Sequence, residues 1–125
     1  MYSISYPADE HYKSAAAENG VQVIAKPRNL VNLYVLNVSA ATVYLLVSDD
    51  AAGPHCLAVN KGTLYPILAA PGYVAIATHG GDQFYKGIYI GAYSTAALAL
   101  AGGAPDGGAS LLIKADFTAS KIFPQ

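Results

Sequence analysis

Residues 30–48 read L-V-N-L-Y-V-L-N-V-S-A-A-T-V-Y-L-L-V-S, and this stretch decides the fold. Val31, Leu33 and Val35 recur at every second position, which places them on one face of a strand. The same spacing returns between Val43 and Val47, after a link of small residues. Two alternating runs joined by a short link predict two neighbouring antiparallel strands.

The alternation continues toward the C-terminus, in residues 63–68, 72–78, 85–95 and 111–118. About seven or eight short strands with frequent turn signals, and no helix between them, predict a sandwich or a barrel. The clean alternation favours an antiparallel β-sandwich. The inward-facing positions predict the core, which we expect to contain Val31, Leu33, Val35, Val43, Leu45, Val47, Val74, Ile76, Ile88, Ile90, Leu111, Ile113 and Phe117.

Residues 1–20 lack this alternation and are predicted to form an N-terminal arm ahead of a sandwich at 21–125. Asp9 can cap a short helix that stops at Gly20, and an extended arm is the competing interpretation. The arm carries Tyr2, Ile4, Tyr6 and Tyr12, whereas disordered tails are poor in large aromatic residues. We therefore expect it to lie against a neighbouring subunit or the surface of a larger assembly, and to order on binding; folding back on its own sandwich is the alternative.

The composition favours association with proteins. Hydrophobic residues make up 54% of the 125 residues and charged residues only 12%, against about 25% charged in a typical globular domain. A surface with so few charges tends to associate. The seven Lys and Arg residues are scattered and the net charge is −1, so the sequence predicts no nucleic-acid partner.

The N-terminus shows neither the basic nor the apolar region of a signal peptide. The longest helix-like apolar run, residues 96–101, is far shorter than the ~20 residues of a membrane span. The sequence therefore predicts a protein that is made in a cytoplasm and has no membrane partner.

No motif predicts catalysis, a cofactor or a metal site. The single cysteine, Cys56, excludes an intramolecular disulfide. His79 and Asp82 belong to a glycine-rich turn, and Asp49-Asp50 is interpreted as a solvated turn rather than as paired catalytic carboxylates. The glycine-rich residues 102–108 lack the lysine and the helix of a phosphate-binding loop and are expected to join two strands.

Ten tyrosines and no tryptophan require an explanation. Tyr34, Tyr44, Tyr89 and Tyr93 fall on the strand faces opposite the predicted core. A tyrosine outside the core can pair with aromatic residues across an exposed sheet or make a subunit contact. Both interpretations stay open, and these four residues join the arm residues as candidate interface positions.

Three pieces of the sequence resemble small virion structural proteins of tailed bacteriophages. They are Tyr12-Lys-Ser-Ala-Ala-Ala17, residues 33–49, and Phe84-Tyr-Lys-Gly-Ile-Tyr-Ile-Gly-Ala-Tyr-Ser-Thr-Ala96. The last piece is similar to that family's Phe-x-x-Gly-Ile/Leu strand with a following Ser-Thr turn. The order of strands and turns resembles the family over roughly three quarters of the chain.

The resemblance implies a non-enzymatic β-sandwich or jelly-roll subunit of a virion. We expect a capsid decoration (cement) protein, made in the host cytoplasm, that binds the major capsid protein and stabilises the head exterior. The expected homo-oligomer is a trimer, because capsid lattices offer three-fold positions. A tail or neck subunit and a carbohydrate-binding module are the alternatives.

Overall fold

A computed structural model describes residues 10–51, 63–69, 72–77, 82–101 and 104–119. Within these ranges the chain forms nine strands and one short helix. The elements are β1 (Glu10–Lys13), β2 (Gly20–Ile24), β3 (Arg28–Asn37), β4 (Val43–Ser48), β5 (Thr63–Ile67), β6 (Val74–Ala77), β7 (Asp82–Phe84), β8 (Ile88–Tyr93), α1 (Ala96–Leu100) and β9 (Leu111–Thr118).

The strands form two antiparallel sheets. The first sheet has the order β1-β9-β3-β6, and β7 also pairs with β3. The second sheet has the order β2-β8-β4-β5. Pro66 lies in β5, an edge strand, where its missing N–H breaks no internal ladder. The predicted antiparallel β-sandwich is confirmed.

The core lies between the two sheets and draws on both. Its buried members are Leu30, Leu33, Val35, Val43, Leu45, Val47, Ile67, Phe84, Ile88, Ile90, Ala92, Leu111, Ile113, Ala115 and Phe117. Of the predicted core residues, Val31 is buried outside this cluster and Ile76 packs at its margin. Val74 is 39% exposed, because β6 is an edge strand.

A β-bulge near Val31 explains why the predicted face of β3 is wrong at its start. Leu30 pairs with Phe117 and Asn32 with the next residue, Asp116, so Val31 is the extra residue. An extra residue shifts the period-two alternation by one position. Leu30, expected on the outer face, therefore enters the core together with Leu33.

The predicted boundary between an arm at 1–20 and the sandwich is wrong for residues 10–20. Glu10–Lys13 is strand β1, which pairs with β9, so the predicted helix is absent from residues 10–20. Arg28 on β3 forms a hydrogen-bonded ion pair with Glu10. The hydrogen bond from the Arg28 guanidinium lowers the pKa of the Glu10 carboxyl. Residues 10–20 thus belong to the sandwich, and residues 1–9 lie outside the described ranges.

Helix α1 separates β8 from β9, although no helix was predicted between strands. Its N-cap is Thr95, whose hydroxyl accepts a hydrogen bond of 3.1 Å from the Leu98 N–H. Such a cap satisfies one of the free donors at the start of a helix. The helix packs on β8 and β4, and so covers part of the outer face of the second sheet.

Candidate interaction surfaces

The turn between β7 and β8 is held by the buried carboxylate of Asp49. Asp49 Oδ2 accepts a hydrogen bond of 2.9 Å from the Tyr85 N–H, and Oδ1 accepts from Lys86 (2.7 Å) and Gly87 (3.3 Å). Hydrogen bonds to a charged acceptor are stronger than neutral ones. Asp49 and Asp50 are 6% and 8% exposed, so the interpretation of this pair as a solvated turn is wrong.

Gln22 holds the backbone against which this turn packs. Gln22 Nε2 donates to the carbonyl oxygens of Ile24 and Asp50, at 2.9 and 2.7 Å. Gly87 packs so closely against this group that a Cβ there would lie 2.5 Å from the Ile24 oxygen and 2.9 Å from that of Asp50. Contacts from β2 and from Asp49 and Asp50, which follow β4, therefore determine the conformation of the turn.

Tyr85 projects from this fixed turn and is 70% exposed. A large aromatic side chain on a rigid backbone loses little conformational entropy on binding. The sequence pattern did not predict Tyr85 as an interface residue, because residues 85–95 resemble one continuous strand. The available signal was the Tyr-Lys-Gly sequence between two strands, which is typical of a turn.

Two of the predicted interface tyrosines are buried within the chain itself. Tyr93 and Tyr89 are 0% and 7% exposed, and they pack with Leu46 and Ala99 beneath α1. Tyr44 is half-buried and packs against this group of four residues. The prediction that Tyr89 and Tyr93 contact another subunit is therefore wrong, because α1 supplies the cover that the sequence pattern assigned to a partner.

Helix α1 covers part of the outer face of the second sheet, because it packs on β8 and β4. Among the described residues, no helix covers the outer face of the first sheet. Tyr34 stands opposite Lys114 on this face, and Leu36 stands opposite Leu112. The side chains of Tyr34, Leu36 and Leu112 are half-buried, and that of Lys114 is exposed. The Lys114 ammonium lies 4.3 Å from the ring centroid of Tyr73, in a cation–π contact.

The same face ends in a polar cluster on β1, β9 and β3. His11 Nδ1 lies 2.8 Å from Asp116 Oδ1, and Asn32 Nδ2 donates to Asp116 Oδ2 at 3.2 Å. We call the surface formed by the outward side chains of His11, Lys13, Asn32, Tyr34, Leu36, Tyr73, Leu112, Lys114 and Asp116 the open face.

The chain crosses from the first sheet to the second through residues 14–19. Glu18 Oε2 accepts hydrogen bonds from the hydroxyls of Tyr12 and Ser14, and its backbone pairs with Leu111. Burial and the Glu18 carboxylate together raise the pKa of Tyr12 to about 12. Tyr12 therefore packs inside its own subunit, contrary to the prediction of an interface role. Tyr2, Ile4 and Tyr6 lie outside the described residues.

A shallow depression of about 470 Å³ lies beside the crossing, next to Tyr89, Gly20 and Pro105. Asn19 Nδ2 donates to the Pro105 oxygen at 2.8 Å. Asn19 Oδ1 is buried and has no hydrogen-bond partner among the described residues. The ring of Tyr89 is too deeply buried to stack on a ligand, so the depression offers an amide and a carboxylate but no aromatic platform.

Within the described ranges, no group of three or more His, Cys, Asp or Glu side chains is placed to hold a metal ion. Cys56 and His79 lie outside those ranges. The glycine-rich residues 102–108 join α1 to β9, not two strands, and Gly107 packs against the backbone of Ala92. No described helix is long and apolar enough to cross a membrane.

Comparisons with known protein families, with curated proteins and with solved structures found no match to this chain.

Proposed function

We propose that this protein is a structural subunit of a bacteriophage virion, and that it binds the outside of the head as a decoration protein. It works as a homo-oligomer, with a trimer favoured, and its partner on the head is the major capsid protein. Its place of action is the virion, after synthesis in the host cytoplasm.

The open face is the observation that carries this proposal. It combines the half-buried side chains of Tyr34, Leu36 and Leu112 with the exposed Tyr73 on one sheet. Mixed apolar and aromatic surfaces are typical of protein contacts. Exposed Tyr85 adds an aromatic side chain on a fixed turn. A decoration protein needs no reaction centre, since copies bound to the assembled shell stabilise it by mass action.

The strand order gives further support and favours a jelly roll. β1, β9, β3 and β6 of the first sheet correspond in order to β2, β8, β4 and β5 of the second. This is the order of a long antiparallel ribbon wound on itself. Jelly rolls occur in viral capsid proteins and lectins, and the fold is compatible with a decoration role.

The test is to mix the purified protein with empty phage heads and to measure co-sedimentation and the thermal midpoint of the heads. We expect saturable binding and a raised midpoint. A glycan array is the parallel arm. Failure to bind heads, together with retention on the array, would replace the proposal with a carbohydrate-binding function. Binding to tails alone would favour a tail or neck subunit.

Light scattering tests the assembly state. We expect the mass of a homotrimer at micromolar concentration. A stable monomer would overturn the proposed oligomer and leave the proposed head binding to be decided by co-sedimentation.

A further inference from the structure

We propose that the open face binds a protein surface rich in carboxylates, which Lys13 and Lys114 contact together. This inference rests on the proposed function, in which the open face is a contact surface, and it adds the chemistry of the partner.

The pairing of β1 with β9 places these two lysines side by side. Lys13 and Lys114 are register partners, and both side chains are exposed on the same face of the sheet. The Lys114 ammonium extends across β3 to the ring of Tyr73, whereas Lys13 stands on the edge strand β1, so the two residues present separate positive charges on one face. An acidic partner surface can therefore contact each ammonium group with a separate carboxylate.

The described chain provides no acid to do this. Asp116 is the acidic residue on the open face, and its two oxygens are already engaged by His11 and Asn32. Lys114 contacts the ring of Tyr73, whereas Lys13 has no ion-pair partner among the described residues. The lysine pair therefore presents uncompensated positive charge beside Tyr34 and Tyr73.

The surroundings favour an acidic protein over a nucleic acid. Leu36 and Leu112 lie next to the lysine pair, and a partner must bury them as well. Two lysines neutralise too few phosphates for tight binding to a nucleic acid. A second copy of this chain fits less well, because stacking two open faces brings four lysines together with two engaged aspartates.

The experiment measures binding of the full chain to defined polymers of matched length, by isothermal calorimetry and by chemical-shift mapping. The probes are poly-glutamate, a copolymer of glutamate and tyrosine, and single-stranded DNA. We expect the copolymer to bind tightest, poly-glutamate less tightly and DNA weakest. The shifted resonances should be those of Lys13, Lys114 and the neighbouring tyrosines.

The variants isolate the lysine pair. The double variant Lys13→Gln/Lys114→Gln should weaken copolymer binding about three- to tenfold, as expected for two exposed ion pairs. Lys86→Gln, at an exposed lysine on the β7–β8 turn, is the matched control and should leave binding unchanged. Lys13→Glu/Lys114→Glu should abolish binding. A cooperative thermal transition with a midpoint close to that of the parent chain shows that each variant is folded.

Three results would overturn the inference: equal copolymer binding by the glutamine double variant, equal weakening by Lys86→Gln, or DNA bound more tightly than the copolymer. Self-association that the glutamate variant abolishes would assign the face to a second copy instead. The polymer arms do not use phage heads. If the copolymer binds in a lysine-dependent way but heads are not bound, only the proposed function is refuted. If heads are bound but copolymer binding does not depend on the two lysines, only the inference about the lysine pair is refuted.

Discussion

Replacing Asp49 with alanine removes the acceptor for three backbone N–H groups on the turn that carries Tyr85. Hydrogen bonds to charged groups contribute about 1.5–3 kcal/mol each. Water can reach the N–H groups of the exposed Tyr85 and Lys86, whereas Gly87 is buried. We therefore expect the free energy of unfolding to fall by about 3 kcal/mol rather than by the full sum. In a domain of this size that corresponds to a thermal midpoint lower by about 10 °C.

Chemical denaturation and amide hydrogen exchange measure this effect. Asp49→Asn keeps the oxygen that serves Lys86 and Gly87 but turns an amide group toward the Tyr85 N–H, so we expect about half the loss. The matched control is Asp106→Ala, because Asp106 also accepts hydrogen bonds, from the Ser94 N–H and hydroxyl, but at an exposed site. It should have a much smaller effect. Equal losses for Asp49→Ala and Asp106→Ala, or unchanged exchange at residues 85–87, would refute the bracing role of Asp49.

Three further predictions concern stability. Gly87→Ala should cost about 3 kcal/mol in denaturation experiments, because its Cβ meets two backbone oxygens; Gly72→Ala, with nothing within 4 Å, should change stability by less than about 0.5 kcal/mol. Folding raises the pKa of Tyr12 to about 12 from its ordinary 10.0, so its contribution is complete below pH 10 and falls by about 1 kcal/mol toward pH 12, after allowance for solvent screening. When the free energy of unfolding is measured across this pH range, Tyr12→Phe should lack this part of the decline. An identical decline in the variant and the parent chain would show that Tyr12 does not cause it. Leu45→Ala should cost about 2–5 kcal/mol in the same assay, against less than about 0.5 for the exposed Leu100→Ala, and similar losses would show that Leu45 is not in the core.

The two-sheet core was predictable because side chains alternate strictly along a strand and report which face is buried. Leu33, Val35, Leu45 and Ile113 follow that rule, and all are fully or almost fully buried. The bulge at Val31 was not predictable, because an inserted residue reverses the faces without any mark in composition.

The candidate surfaces were harder to predict, since they depend on contacts between distant parts of the chain. Helix α1 buries Tyr89 and Tyr93, and only the fold reveals that cover. The role of Asp49 depends on backbone donors 36–38 residues further along the chain. Tyr34 was correctly predicted to lie outside the core. Its neighbour Lys114, and Lys13 beyond it, depend on how β3, β9 and β1 pair, and the sequence pattern does not specify that pairing.

The position of β9 between β1 and β3 constrains how the chain folds. His11 and Asp116 are 105 residues apart in sequence, yet they are neighbours in the first sheet. Ordering so long a loop before its contacts form is slow, as in other β-rich topologies. Until β9 arrives, the pairing edges of β1 and β3 stay open to strands of other chains. Folding yield should therefore fall as protein concentration rises, and a high local concentration of new chains favours aggregation over the sandwich.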